Sequence, residues 1–363
     1  MKTLRTYVLV EHIVPFAVTF GGLTAVLLIG NIVKFADLII SKGVSPFDII
    51  RLMIYLTPYL LSFTVPMAAL VAMVLAFGRL STDYELIAMR ASGVAPFRLV
   101  APILMVGLVL SGLLVVVSDH LVPISHLAFR RQLKAIGIKQ PTAYLEAGTF
   151  IKDFPPYVIF VYQVEGRKLY NIRIYEPQAN GPTRTIIADW GEFSRLPNEH
   201  GVQLKLYHGT VDEWDQLRPG SFYKVIFKDY AMNLRSGAED PALMRKKIRE
   251  MNFKELLGER GRLAAEGIDP LPISLEFHRK IAGAFAALIF MMFGLSLGLQ
   301  VHHHERLIIY VWVLGIFMGY YLFNIGMNAL ALKGLLSPMV AMWIPNVVGG
   351  VIAGSMLAFA VRH

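Results

Sequence analysis

The chain has no cysteine in its 363 residues. No disulfide therefore staples any part of it, although this alone does not identify a reducing compartment. The dipeptide Gly-Lys never occurs, which excludes the glycine-rich loop and lysine that cradle nucleotide phosphates. His-Glu-x-x-His is also missing, the one Gly-x-Ser-x-Gly (Gly294 to Gly298) lies inside a long charge-free run and not at a strand-to-helix turn, and no pair of carboxylates falls within an apolar segment. Covalent catalysis and nucleotide hydrolysis by this chain are not expected. The triple histidine in "HHHER" (302–306) is not a metal site by pattern. Adjacent residues on a helix point about 100° apart, and the i, i+4 pair that shares one face is missing. No cofactor or metal is expected. The net charge of +9 is spread along the chain without a basic, aromatic-rich patch, so it suits anionic lipid better than nucleic acid.

Charge is also missing from six long stretches: 12–33, 52–78, 99–118, 281–301, 307–332 and 334–361, apart from Lys333 just before the last. A bilayer core about 30 Å thick needs roughly 20 apolar helical residues, so each stretch predicts a membrane span. Mean hydropathy is +0.53, yet 23 of 35 Lys/Arg and 19 of 26 Asp/Glu crowd into residues 123–279. This predicts a water-facing domain inserted between three spans and three more. The first stretch is too long for a signal-peptide core and no small-residue cleavage site follows it, so it reads as a retained span. Lys2, Arg5, Arg79, Arg90, Arg98, Arg306 and Arg362 would face the cytoplasm, against Lys42, Arg51 and Lys333 in short outer loops. Three spans before the insert place it on the outer side. The expected parts are 1–122, 123–270 and 271–363.

Within the insert the period changes. "YVIFVYQVEG", "KLYNIRIYEP", "TRTIIADWGEF", "VQLKLYHGTV" and "SFYKVIFKDYAMNL" are Val-, Ile- and aromatic-rich runs separated by Gly, Pro and Asn. They predict antiparallel strands in a sandwich, jelly roll or open barrel. Such a domain has either a filled core or a groove that takes an acyl chain or a partner's strand. After it, "MRKKIREMNFKELLGERGRLAAEG" (244–267) is a charged helical connector suited to the membrane surface.

Polar groups at membrane depth are expensive and draw attention. Lys34 and Asp37 sit at the outer end of the first span, three apart, with Asn31 one turn before. They form either a local ion pair or the cationic rim of a cavity for an anionic headgroup. Asn324 and Asn328 form an i, i+4 pair expected to hydrogen-bond between helices. Gly294/Gly298, Gly315/Gly319 and Gly350/Gly354 are small-xxx-small pairs that permit close helix approach.

Between spans two and three lies "RLSTDYELIAMRASG" (79–93). Thr82 followed by Glu85 reads as a capping box, and Gly93 as a stop, giving a helix over 83–92. Leu80, Tyr84, Ile87 and Ala91 form its apolar stripe, with Asp83, Glu85 and Arg90 elsewhere. Such a helix either lies flat on the bilayer or docks into a groove on a cytoplasmic motor.

"FGRLSTDYELIAMRASG", the three-plus-three spans and the β-rich insert resemble the YjgP/YjgQ (LptF/LptG) permease family over essentially the whole chain. Members are the paired half-permeases of the bacterial lipopolysaccharide export ABC transporter. The resemblance implies a six-span inner-membrane protein with an inserted all-β periplasmic jellyroll-like domain. It implies a heterodimer with a second half-permease, a cytoplasmic ATPase dimer, a single-span periplasmic jellyroll partner and a periplasmic bridge protein, with lipopolysaccharide as cargo. By the same resemblance Thr82, Asp83, Tyr84, Glu85, Ile87 and Arg90 couple to the ATPase, and Asn31, Lys34 and Asp37 line the lipid cavity. "GVSPFDIIRLMIYLTPYLL" and "PPYVIFVYQVEGRKLYNIRIYE" look more like the F-type subunit, whereas "NIVKFAD" also fits the G-type. The competing class is a membrane-anchored sensor or scaffold whose β-domain binds a lipid or protein. It would have no use for a docking helix between spans two and three.

Overall fold

The computed structural model describes residues 2–40, 44–94, 97–139, 147–154, 156–165, 168–177, 183–195, 201–214, 222–235, 245–300 and 306–362. The helices before the β-domain are α1 (Lys2–Val10), α2 (Ile13–Ile40), α3 (Pro46–Thr82), α4 (Glu85–Ala91), α5 (Phe97–Val116) and α6 (Val122–Lys139), with a π-helical turn, Val117–Leu121, joining α5 to α6. After it come α7 (Phe253–Ala265), α8 (Leu271–Leu299), α9 (Arg306–Leu332) and α10 (Pro338–Arg362). Six helical stretches are long and apolar enough to cross a membrane: Thr6–Ile40, Pro46–Thr82, Arg98–Ile136, Leu271–Leu299, Ile308–Leu332 and Pro338–Val361. The second and third, at 37 and 39 residues, outrun their apolar windows. Lack of charge marks only the part in lipid, while helical hydrogen bonding continues into polar surroundings.

By contacts the chain forms two compact units: residues 1–30, 55–127 and 246–363, and residues 31–54 and 128–245. The first unit is helical and is built on α3 and α8. A side chain on Gly294 would run into the Leu70 carbonyl and Met73, and one on Gly298 would come within 2.6 Å of the Phe77 Cβ and 3.0 Å of the Met73 carbonyl. The two helices therefore meet backbone to backbone, which only glycine allows. The other two glycine pairs differ. Gly350 and Gly354 make looser contact with Ile289 and Met292 of α8, and Gly315 and Gly319 face open space. Accordingly α8 is largely buried, whereas α9 leaves Val311, Trp312, Leu322 and Ile325 uncovered by its own chain.

At one end of these helices the connector is fastened by polar contacts. Asn252 caps α7, accepting from the Glu255 amide at 2.8 Å while Glu255 accepts from the Asn252 amide at 2.9 Å. Asp119, in the π turn, accepts from the Phe253 amide at 2.6 Å. A π turn swings one residue out of helical phase, here to where its carboxylate reaches the free N–H end of another helix. Partial burial pushes the Glu255 carboxyl up. Its bonds from Lys246 and Asn252 outweigh that and hold it below the usual carboxylate range.

The second unit holds a single six-stranded antiparallel sheet, β1 (Phe150–Phe154), β2 (Tyr157–Glu165), β3 (Lys168–Glu176), β4 (Arg184–Arg195), β5 (Gly201–Trp214) and β6 (Phe222–Arg235). The antiparallel strands are as expected, but they pair in chain order, so the described strands form one meandering sheet and not the two-sheet connectivity of a sandwich or jelly roll. Alternation does not run unbroken along them. In β3 the buried residues are Leu169, then Ile172 and Ile174; in β4 Ile186 and Ala188, then Phe193; in β5 Leu204 and Leu206, then Val211. The parity flips at Asn171, between Ala188 and Phe193, and around His208, and Asn171 and His208 have φ of 53° and 49°. The breaks sit side by side in the strand register, forming a crease across three strands. Both halves of each strand thus deliver their apolar residues to one core, since a left-handed residue resets which face follows. In the same unit Phe35, Leu38 and Ile39 of α2 pack with Val44, Ile49, Leu52 and Ile136.

Gly294→Val should destabilise the isolated chain by about 1–3 kcal/mol through overpacking, and Gly315→Val should leave its thermal midpoint in detergent unchanged. Asn252→Ala should cost α7 about 1 kcal/mol, seen as faster amide exchange over 253–265. Because the Glu255 carboxyl is depressed, its contribution is present above the ordinary carboxylate pKa of about 4 and is lost as pH falls below it. Protection of α7 amides relative to their intrinsic exchange rate should therefore fall in acid, and Glu255→Gln should flatten that dependence.

Candidate functional site

Helix α4 is where the sequence concentrates its signals, and its start differs from the expectation. Thr82 is not its cap. Helix α3 runs through Thr82, whose hydroxyl donates back to the Arg79 carbonyl at 3.0 Å. The Asp83 and Tyr84 amides also continue helically, to the carbonyls of Arg79 and Ser81 at 2.9 and 3.1 Å. The chain breaks at Tyr84, with φ 59° and ψ 9°. The helix therefore begins at Glu85, which occupies its first position and not the third, and no side chain caps it. Burial decides this: Leu80 is fully buried, and keeping it so holds the last turn of α3 helical beyond the point where a threonine cap would have ended it. The stop is as expected. Gly93 has φ 78°, with its amide bonded to the Arg90 carbonyl at 2.9 Å and the Val94 amide to that of Met89 at 3.2 Å, a Schellman ending.

The apolar stripe is corrected in one member. Leu80 belongs to the buried face of α3, while Tyr84 and Ile87 are 62% and 59% exposed and Ala88 and Ala91 are exposed beside them. These four lie at i, i+3, i+4 and i+7, an uncovered apolar strip on the outward face of a short helix. Leu86 turns inward and joins a core with Val8, Leu80, Leu99 and Ile103. Arg90 faces inward too, donating to the Ala360 carbonyl near the end of α10 at 3.1 Å. Glu85 accepts from the Tyr7 hydroxyl at 2.9 and 3.2 Å. Arg79 joins Glu11 at 2.5 Å and Asp83 at 3.7 Å. The partners of Glu85 and Arg90 lie 78 and 270 residues away, and nothing in the local pattern reveals them.

The expected lipid-facing group is in the second unit. Lys34 is exposed, Asn31 is half-buried, and both lie on α2. Phe35, Leu38 and Ile39 take the packed side of that helix, and Lys34, one turn before Leu38, lies at the exposed edge of that side. The side chain of Asp37 lies outside the described residues, as does the triple histidine at 302–304; the Lys34–Asp37 pairing belongs to that set.

Sequence reasoning missed a cavity of about 380 Å³ among α3, the α5–α6 span, α8 and α9. Tyr59, Phe63 and Tyr321 give it an aromatic wall, and Arg249, Arg279 and Lys280 a cationic one. Lys280 is buried and donates to the Met251 carbonyl at 2.5 Å. Glu276 accepts both arms of Arg279, at 2.7 and 3.0 Å. Glu250, fully buried, meets His126 at 3.2 Å and the Lys247 amide at 2.9 Å. Each buried charge has its partner, as a low-dielectric site demands. Asn324 and Asn328 line this cavity. The bond between α9 and α10 is made instead by Tyr320, donating to Asn346 at 2.7 Å, whose amide donates to the Ala282 carbonyl of α8 at 2.7 Å. Among the described residues no group of three or more metal-ligating side chains could hold an ion.

Comparison with known proteins agrees with this architecture. An uncharacterized protein of Rickettsia prowazekii, RP871, is 24% identical over 241 residues, covering 66% of this chain and 65% of its own length. The family model of the lipopolysaccharide export system permease LptF/LptG matches residues 6–358. From the first span to the last, with the β-domain between, the chain belongs to the LptF/LptG permease family.

Proposed function

We propose that this chain is one half-permease of an ATP-binding-cassette transporter that takes lipopolysaccharide from the outer leaflet of the inner membrane. It would pair with a second half-permease and be driven by a separate cytoplasmic ATPase dimer. The β-domain would stand in the periplasm and hand the glycolipid to a single-span jellyroll partner and a bridge protein. Family membership supports the class of cargo. The observation that carries the coupling role is α4, a short helix between spans two and three with an outward strip of Tyr84, Ile87, Ala88 and Ala91. A strip of this kind suits the groove of a partner protein better than water. Asp83, exposed beside it, and Glu85 would supply charge to a basic groove. Lys34, exposed on α2, would meet phosphate on the cargo, with Asn31 and Asp37 along the same stretch of helix.

Tagging the chain and identifying what co-purifies tests the whole proposal: an ATPase and a second permease of this family are expected, and their consistent absence would favour a sensor or scaffold. Glu85→Gln keeps an acceptor for Tyr7 and so should leave the chain folded, but it removes the charge offered to the ATPase. Retention of the ATPase or lipid extraction per ATP should fall, and Glu85→Lys should lower both further through repulsion. Equal retention and extraction in all three proteins would assign docking to the apolar strip alone.

Lys34→Asp should reduce lipid extraction roughly tenfold, since it replaces a charge-assisted phosphate contact with repulsion, while assembly stays intact. Unaltered extraction would remove Lys34 from the lipid path.

A further inference from the structure

The break at Tyr84 leaves α4 without a continuous helix to aim it. A tyrosine at φ 59° is strained, so the orientation of α4 must be held from outside the hinge. Contacts at both ends do this, together with the packing of Leu86 between them. Arg90 ties the far end to the Ala360 carbonyl. The near end is held by α1, where the Tyr7 hydroxyl bonds both oxygens of Glu85 and Val8, fully buried, packs in one core with Leu80 and Leu86. One residue past α1, Glu11 binds Arg79, which also reaches Asp83 at the hinge. Helix α1 then passes through Glu11 and His12 into α2, the first span. His12 is buried and its ring sits 5.1 Å from that of Phe77, so this corner is anchored to α3.

We propose that Tyr7 is a positioning residue of the coupling machinery: its hydroxyl holds Glu85 and so links α4, through α1, to the first span. The inference rests on the coupling role proposed for α4. A displacement of α4 by a docked motor then moves α1 with it, and the first span receives the stroke directly as well as through α3. Glu85 thereby has two tasks, offering charge outward and accepting the tyrosine hydroxyl inward. A carboxylate can do both at once because its two oxygens carry about four acceptor sites.

Tyr7→Phe removes one hydroxyl and keeps the ring. In the co-purified complex in nanodiscs, amide exchange over residues 85–92 should rise about threefold to tenfold, the range for losing one partly exposed charge-assisted bond. In the chain without the ATPase, where docking does not contribute, Glu85→Ala should raise it as much as Tyr7→Phe does, and the double variant no further, because both then remove the same bond. ATP turnover and ATPase retention should persist in Tyr7→Phe while lipid extracted per ATP falls several-fold. Unchanged exchange, or additive effects in the double variant, would overturn the link. Faster exchange with extraction per ATP as in the parent would overturn the coupling role. Should no ATPase accompany the parent chain, the coupling role falls with the proposed function, and exchange in the chain alone still decides whether Tyr7 holds α4.

Discussion

Helices α3 and α8 touch along their backbones at Gly294 and Gly298, and the arrangement of the helical unit follows from that contact. Inside a bilayer apolar surface has no water to escape, so helices associate by close packing and not by hydrophobic burial as such. A seam without side chains gives the closest packing available. Around it Phe290, Phe293 and Leu70 form one core and Phe77, Leu80 and Leu295 another, and α5 and α10 pack against α8. Helix α9 gives one face to the first core through Ile309, Val313 and Tyr320, while Gly315, Gly319, Val311 and Trp312 on its other side face away from its own chain. The same sequence motif thus does two things in one protein, depending on whether a neighbour lies opposite.

At the connector end the constraint is electrostatic. Lys280, Glu276 and Glu250 are all buried, and each would be costly without a partner. Their partners come from α6, the connector and α8 itself, so the groups that offset the cost of burying charge also fix the connector against the helices. Asp119, in the π turn, adds a further fastening by accepting from the first amide of α7. At the α4 end charges are exposed and their bonds weaker. That difference suits a region proposed to move, against one that is held.

The crease in the β-domain shows how a sheet can depart from simple alternation without losing its core. Asn171 and His208 take left-handed backbone, a conformation that polar residues of this kind tolerate better than branched ones. Gly209 follows His208, where a side chain would collide with the Ile187 carbonyl and the Phe227 ring. The result is one contiguous cluster drawn from all six strands.

Much was legible in the chain itself. Runs without charge located six spans because the bilayer penalises each charge separately, and Val- and Ile-rich runs located strands because branched side chains favour extended backbone. Gly93 predicted its own helix stop, since its left-handed conformation is a property of the residue. What failed was local reasoning about residues whose partners are remote. Thr82 and Glu85 match a capping box, but burial of Leu80 carried α3 past the cap, and Glu85 bonded Tyr7 instead. Asn324 and Asn328 looked like the interhelical pair, yet Tyr320 and Asn346 make that bond because α10 lies beside them. Hydropathy and propensity act on each residue where it stands, so sequence alone determines them. Which polar groups meet is decided only when helices far apart in the chain pack together, and there the tertiary structure overrules the motif.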